Sequence, residues 1–243
     1  MSNRFVFVAC SYNMSHTLAR MLHSIVGQSY DNWRILVTDD VSDVEHVERS
    51  INVIQRFHDL LGHDKHKLTF YKNVTKKWEV ENVLTMLRDC GDEDIICRID
   101  ADDWLTDLDA LHIINGAYNT TACEALWTAH RWGFSDRNIS GPMPPTADPY
   151  RHPWVSSHLK TFRKHLLNNV TDANFRGADG RYVRRAGDQA IYLPVLHNTT
   201  RRFFLPRVMY HYSINDVPAT YQTPDAKFQR DEAEFLRKRG YVE

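Results

Sequence analysis

FVFVACSYNMSHTLARMLHSIVGQSYDNWRILVTDD, residues 5–40, is the stretch whose reading decides the fold. Phe5 to Cys10 is an unbroken apolar run of strand length. Apolar residues then recur at Leu18, Met21, Leu22, Ile25 and Val26, the spacing of a helix with one buried face. Ser15 is the expected N-cap of that helix and Gly27 its expected stop. Trp33 to Thr38 reads as a second strand, and it ends on two carboxylates, Asp39 and Asp40.

The alternation continues outward. Val44, Val47, Ile51 and Ile54 mark one face of a second helix, Lys67 to Lys72 a third strand, and Val80, Val83, Leu84 and Leu87 a third helix. Asp94 to Asp100 is a fourth strand running into the acidic turn Asp100 to Asp103. Strands separated by helices pair in parallel through right-handed crossovers, so a doubly wound, mostly parallel α/β sheet with helices on both faces is expected. Ligands of such sheets bind beyond the carboxyl ends of the strands. Ser11 to Asn13, Asp39 with Asp40, and Asp100 to Asp103 all fall there.

The second half is less regular. Cys123 to Trp132 reads as a strand, and the five prolines between Gly141 and Pro153 impose an irregular loop. Ser156 to Asn168 and Gly187 to His197 have helical spacing, and Arg202 to Tyr212 mixes apolar and basic residues. A last helix is expected to start at Thr223 and Pro224 and to end at Gly240, with Phe228, Phe235 and Leu236 packed on the body.

With 243 residues, 42% of them hydrophobic, the chain can bury a substantial core. No window approaches eighteen consecutive apolar residues and the first residues lack a signal-peptide pattern, so a cytoplasmic protein without a transmembrane anchor is expected. The four cysteines form no CxxC pair, which argues against structural zinc and a disulfide framework. His63 to Lys67 reads as a solvated turn. The net charge of -1 conceals an asymmetry: Arg151 to Arg207 holds eleven Lys or Arg against three Asp, a net +8, which suits a diphosphate or a nucleic-acid backbone as well as it suits a solvated face.

Carboxylates at 100, 102 and 103, just past a buried strand, can share one divalent cation that neutralises a diphosphate. GxGxxG, GxxxxGK[ST] and GxSxG are absent, which disfavours a dinucleotide dehydrogenase, a P-loop NTPase and a serine hydrolase of the elbow type. Asp188, at the start of an apolar helix, reads either as an N-cap or as a general base. His158 and Arg163 stand about 140° apart on the expected helix, and Arg163 is the better candidate to meet a phosphate. His211 is a further candidate ligand of the cation, against a packed histidine between two tyrosines.

Residues 7–43 resemble the opening of family 2 glycosyltransferases: a strand leading to a [ST]YN turn, a helix ending near Gln-[Ser/Thr]-[Tyr/Phe], and a strand ending in Asp-Asp. ICRIDADDWL, residues 96–105, is similar to the metal-binding motif of that family. PWVSSHLKTFRKHL and AGDQAIYLPVLH more weakly resemble the acceptor half of some members. The resemblance implies a GT-A fold with residues 1–110 as the nucleotide-sugar-binding half and 111–243 as the acceptor-binding half of one domain. It further implies that Ser11, Tyr12 and Asn13 form the donor turn, that Tyr12 and Asp40 hold the base, that Asp100 lies near the ribose, that Asp102 and Asp103 bind Mn2+ or Mg2+, and that Asp188 is the catalytic base.

A UDP-sugar donor, a glycan acceptor and inversion at the anomeric carbon are then expected. The alternatives are transfer to modified DNA bases through the basic 151–207 segment, or a catalytically inactive nucleotide-sugar-binding module. A nucleotidyltransferase would carry a Gly-rich phosphate loop near the first strand, which is absent. The chain departs from the family pattern at Cys10, where Thr or Pro is usual, at Val41, where Gly or Asn is frequent, and at Asn73-Val74-Thr75, where Asn-x-Gly is usual.

Overall fold

The computed structural model describes residues 2–133, 135, 137–213 and 225–243. Eight strands form one mixed sheet. In chain order they are β1 (Phe5–Ser11), β2 (Trp33–Asp39), β3 (Leu68–Lys72), β4 (Ile95–Arg98), β5 (Trp104–Leu105), β6 (Ala125–Trp132), β7 (Lys160–Arg163) and β8 (Arg202–Tyr212), and their spatial order is β3-β2-β1-β4-β7-β6-β8-β5. β1, β2, β3 and β4 pair in parallel, as do β6 and β8, whereas β7 runs antiparallel to both β4 and β6, and β5 antiparallel to β8.

The sheet is buried on both faces, which is why its strands read as continuous apolar runs. Phe5, Phe7 and Ala9 of β1 meet α1 (Ser15–Val26), α2 (Val44–Leu61) and α4 (Ala110–Thr121) on one side. Val6 and Val8 meet α3 (Trp78–Met86), α5 (Gly187–His197) and α6 (Asp225–Arg239) on the other. The expected doubly wound α/β architecture is present, and both halves of the chain contribute to this one sheet.

Several local expectations are corrected. Ser15 is the first helical residue of α1 rather than its cap, and its Oγ meets His46 Nδ1 at 2.9 Å. The buried face of α2 is Val47, Ser50, Ile54 and Phe57, while Val44 and Ile51 are exposed. The segment 156–168 is not a helix: Lys160–Arg163 is strand β7, followed by a short 3-10 turn. Leu159, Phe162 and Leu166 have helical spacing, yet Leu159 to Phe162 are all buried, so a strand covered on both faces mimics a helix in sequence. Along α6, Ala226, Glu232 and Leu236 are the buried residues and Phe228 is exposed. Thr223 and Pro224 lie outside the described residues.

Candidate functional site

Three strand ends of the parallel half converge. β1 delivers Ser11, Tyr12 and Asn13, β2 delivers Asp39 and Asp40, and β4 leads into Asp100 to Asp103. Asn13 knits the first two turns together: its N–H donates to Ser42 Oγ, its Nδ2 donates to Asp43, and its Oδ1 accepts the Asp43 N–H, each at 2.9 Å. Ser11 is buried beside Asp39, and Tyr12 is half exposed with the Lys76 ammonium 2.8 Å from its ring centroid. Cys10, Ser11, Tyr12, Asp40, Lys76, Trp78, Glu79, Arg184 and Arg185 line a cleft of about 200 Å³. Cations and two aromatic rings at its walls suit a nucleotide.

Asp40, at the wall of this cleft, also has structural partners. Its Oδ1 accepts Asn73 Nδ2 at 2.8 Å and the Lys77 N–H at 2.9 Å, and its Oδ2 accepts the Trp78 N–H at 2.9 Å. Asp40 thereby ties the loop after β3 to the N-terminus of α3. Burial would raise its carboxyl, but these donors outweigh it and hold the pKa below the usual range. Next to it Val41 has φ 64°, the left-handed region that favours Gly or Asn. That geometry accounts for the residue types usual at this position.

After β4, the Asp100 N–H donates to the Tyr210 hydroxyl at 3.1 Å, which in turn donates to Asp103 Oδ2 at 2.7 Å. Asp103 Oδ1 accepts the Ser213 N–H at 2.7 Å. Asp103 is therefore buried and engaged at both oxygens, and burial followed by the charges of Asp100 and Asp102 pushes its carboxyl well above the usual range. It braces the turn against β8 and does not open to the cleft. Asp100 and Asp102 are only partly buried. His211 lies face to face with Trp104, ring centroids 3.8 Å apart, with the Arg20 guanidinium 3.8 Å from the Trp104 ring. Among the described residues, no group of three or more His, Cys, Asp or Glu is gathered as a metal cage.

Behind the carboxylate turn lies a charge cluster built on two buried cations, with its carboxylates partly buried. Arg98, the last residue of β4, pairs with Glu79 of α3, with Asp100 at 2.8 Å, and with Asp188 in the first turn of α5. Lys160 of β7, directly across from Arg98 in the sheet, reaches Asp188 Oδ2 at 3.2 Å and His158 Nδ1 at 3.3 Å. A Cβ on Gly187 would overlap the Glu79 carboxylate, so glycine keeps α5 close to α3. Burial raises Glu79 to about 7 despite Arg98, with Asp188 and Asp100 adding to the rise. Burial acts the same way on Asp188, but there Arg98 and Lys160 prevail and hold the carboxyl well below the usual range. The N-cap of α5 is Ala186, so Asp188 is not a cap.

Glu232 of α6 accepts the backbone N–H groups of Arg184, Arg185 and Ala186, which fixes the entry into α5. On its other side, Asp188 lines a pocket with His130, Trp132, Ile139, Trp154, Ser157, His158 and Tyr212. The structure thus groups Ser11, Tyr12 and Asp40 at one cleft, with Asp100 and Asp102 on the turn beyond β4 and Asp188 joined to Asp100 through Arg98.

Arg163 is not brought there. β7 runs antiparallel to β4, so Arg163 stands opposite Ile95 at the far end of the sheet, bonded to Glu93 O at 2.7 Å and Asn3 Oδ1 at 2.8 Å. The +8 segment is likewise divided, since Lys160 is buried and Lys164 pairs with Asp92 at 2.9 Å. Arg184 pairs with Asp179 at 3.2 Å, and Arg185 pairs with Asp225.

Arg98, Glu79 and Lys160 are not among the residues that the sequence singles out. Arg98 did leave a signal: a lone arginine inside the apolar run Ile95 to Ile99 has to find carboxylates.

The fold has relatives among solved structures. Staphylococcus aureus TarS superposes with a TM-score of 0.67 at 16% identity, over 87% of this chain and 37% of that one. TarS 1-349 in complex with UDP-GlcNAc gives 0.64 at 14%, over 90% and 61% of the two chains. The mannosyltransferase PcManGT from Pyrobaculum calidifontis, in complex with GDP-Man and Mn2+, gives 0.59 at 16%, over 89% and 58%. The chain thus spans less than two thirds of the length of each. No curated protein sequence matches it. The family described as Glycosyl transferase family 2 matches residues 6–171, from β1 through β7, and with a GT-A-like sheet carrying both motifs at its strand ends the chain belongs to that family.

Proposed function

We propose that this chain transfers one sugar, with inversion at the anomeric carbon, from a UDP-sugar to a hydroxyl group of a glycan, assisted by Mn2+ or Mg2+. The observation that carries the reading is Asp188, an ionised carboxylate held by Arg98 and Lys160 at the wall of a pocket. Support for the donor comes from the cleft at Tyr12 and from two relatives of the same fold, solved with UDP-GlcNAc and with GDP-Man.

A hard cation needs one or two carboxylates when phosphate and water complete its shell. Asp102, with Asp100 beside it, fits that demand at the partly buried side of the turn, and Asp103 is buried against Tyr210 and Ser213. A cation held there would neutralise charge on the leaving diphosphate. Asp188 Oδ receives the proton of the attacking hydroxyl. Its low pKa makes it a weak base, but a hydroxyl becomes strongly acidic as its oxygen bonds to carbon, so late proton transfer needs no stronger one. Among the described residues lining the pocket, Asp188 is the only carboxylate. A single carboxylate acting as base suits direct displacement by the acceptor hydroxyl, which inverts the anomeric configuration.

Incubation with UDP-sugars and glycan acceptors, with and without Mn2+, tests the proposal. Released UDP and a product of inverted configuration by NMR are expected, and Asp188→Asn should lower turnover about a hundredfold. Nucleotide-sugar binding with neither hydrolysis nor transfer would instead identify an inactive binding module.

A further inference from the structure

The pocket beside Asp188 has a composition that sorts acceptors. Trp132, Trp154 and Tyr212 give it aromatic walls, Ile139 stands exposed within it, and His130 and His158 supply its ring nitrogens. Its volume of about 150 Å³ is half the lower limit of about 300 Å³ for pockets that enclose drug-sized ligands. One ring fits, and a longer chain must continue outside.

Charge narrows the choice. Burial, then Lys160, lowers His130 to about 4, and burial with the same lysine lowers His158 well below its ordinary value, so both imidazoles are neutral near pH 7. Lys160 is buried and satisfied by Asp188. An anionic group in the pocket would stand against the Asp188 carboxylate, while the buried cations beside it, Arg98 and Lys160, are already committed to carboxylates and the exposed Arg137 is stacked on Trp132. A pyranose has the opposite character: its C–H face packs on indole or phenol rings and its hydroxyls bond to imidazole nitrogen and carboxylate oxygen.

We infer that the aromatic pocket of Trp132, Trp154 and Tyr212 over Asp188 is a subsite for one uncharged pyranose ring, the terminal residue of the acceptor. The inference rests on the glycosyl-transfer reading for its placement, but binding alone can test it.

Methyl glycosides of neutral hexoses would be titrated into the protein with UDP and Mn2+ present, following tryptophan fluorescence, with methyl glucuronide and hexose 6-phosphates in parallel. Saturable quenching by a neutral glycoside is expected, with affinity weakened about tenfold or more in Ile139→Asp and in Trp154→Phe. Ile139 is exposed, so its substitution leaves the fold intact, and matching circular dichroism would confirm that for both variants. The charged sugars should bind at least about tenfold more weakly than their neutral counterparts. Equal or tighter binding of the charged sugars, or no quenching by any neutral hexoside, overturns the inference. If neutral sugars bind at this pocket yet no donor is turned over, the subsite stands and the catalytic reading fails.

Discussion

Lys160 Nζ lies 3.2 Å from Asp188 Oδ2, joining the middle of the sheet to the first turn of α5. With Arg98 on the other oxygen, the carboxylate is held ionised and oriented. Because the folded pKa of Asp188 is depressed, its contribution to stability is present above the ordinary carboxylate range and is lost as pH falls through the folded value. In Lys160→Met the carboxyl should titrate higher, moving the acid limb of the kcat/KM profile upward. A stability loss of up to about 3 kcal/mol is expected, since Arg98 remains as partner. An unmoved acid limb would show that Lys160 is only a packing element.

Glu79 behaves with the opposite sign. Its pKa is raised to about 7, so stability linked to its protonation is present at acid pH and declines as pH rises through 7. Glu79→Gln should flatten that decline in thermal unfolding curves recorded across neutral pH. If wild type and variant run parallel, the burial of Glu79 is relieved by another route.

If Asp102 holds the proposed cation, Asp102→Ala should abolish transfer in a protein that still folds. Asp103→Asn, which disturbs the bonds from Tyr210 and Ser213, should lower stability by about 1–3 kcal/mol. The decisive comparison is unfolding beside turnover for both variants, and equal stability would return Asp103 to the set of candidate ligands.

At the end of β2 two substitutions should act in opposite directions. Asp40→Ala strands two backbone N–H groups and Asn73, which should cost about 1–3 kcal/mol and weaken UDP binding by loosening the loop. Val41→Asn removes a β-branched residue from φ 64° and should stabilise by about 1 kcal/mol. Denaturant titration measures both, and a destabilised Val41→Asn would mean that the Val41 side chain has packing worth more than the strain.

The parallel half was legible because most of its elements carry one signal, although α2 buries Ser50 and Phe57 where Val44 and Ile51 were expected. β1 and β4 are short apolar runs, α1 has a clean apolar stripe, and the polar strand ends follow directly. β7 was not legible, since its four residues lie between neighbours on both sides and both faces, and burial of that kind erases the alternation that distinguishes strand from helix. Reading β7 as a helix left Arg163 near the ligand, when the strand places it at the opposite end from Lys160. Asp40, Asp103 and Asp188 were found as residues, but their partners depend on contacts across more than thirty positions, which no local pattern encodes.

β7 also determines where this chain can be divided. It is the strand that joins β4 to β6, and the first half has nothing else to offer the free side of β4. A fragment ending at residue 110 would keep every donor-side motif, yet it would present the buried strand Ile95–Arg98 as a bare edge whose unpaired N–H and C=O groups recruit strands from other molecules. Such a fragment should aggregate rather than bind nucleotide, and its insolubility would reflect a missing neighbour rather than a faulty site.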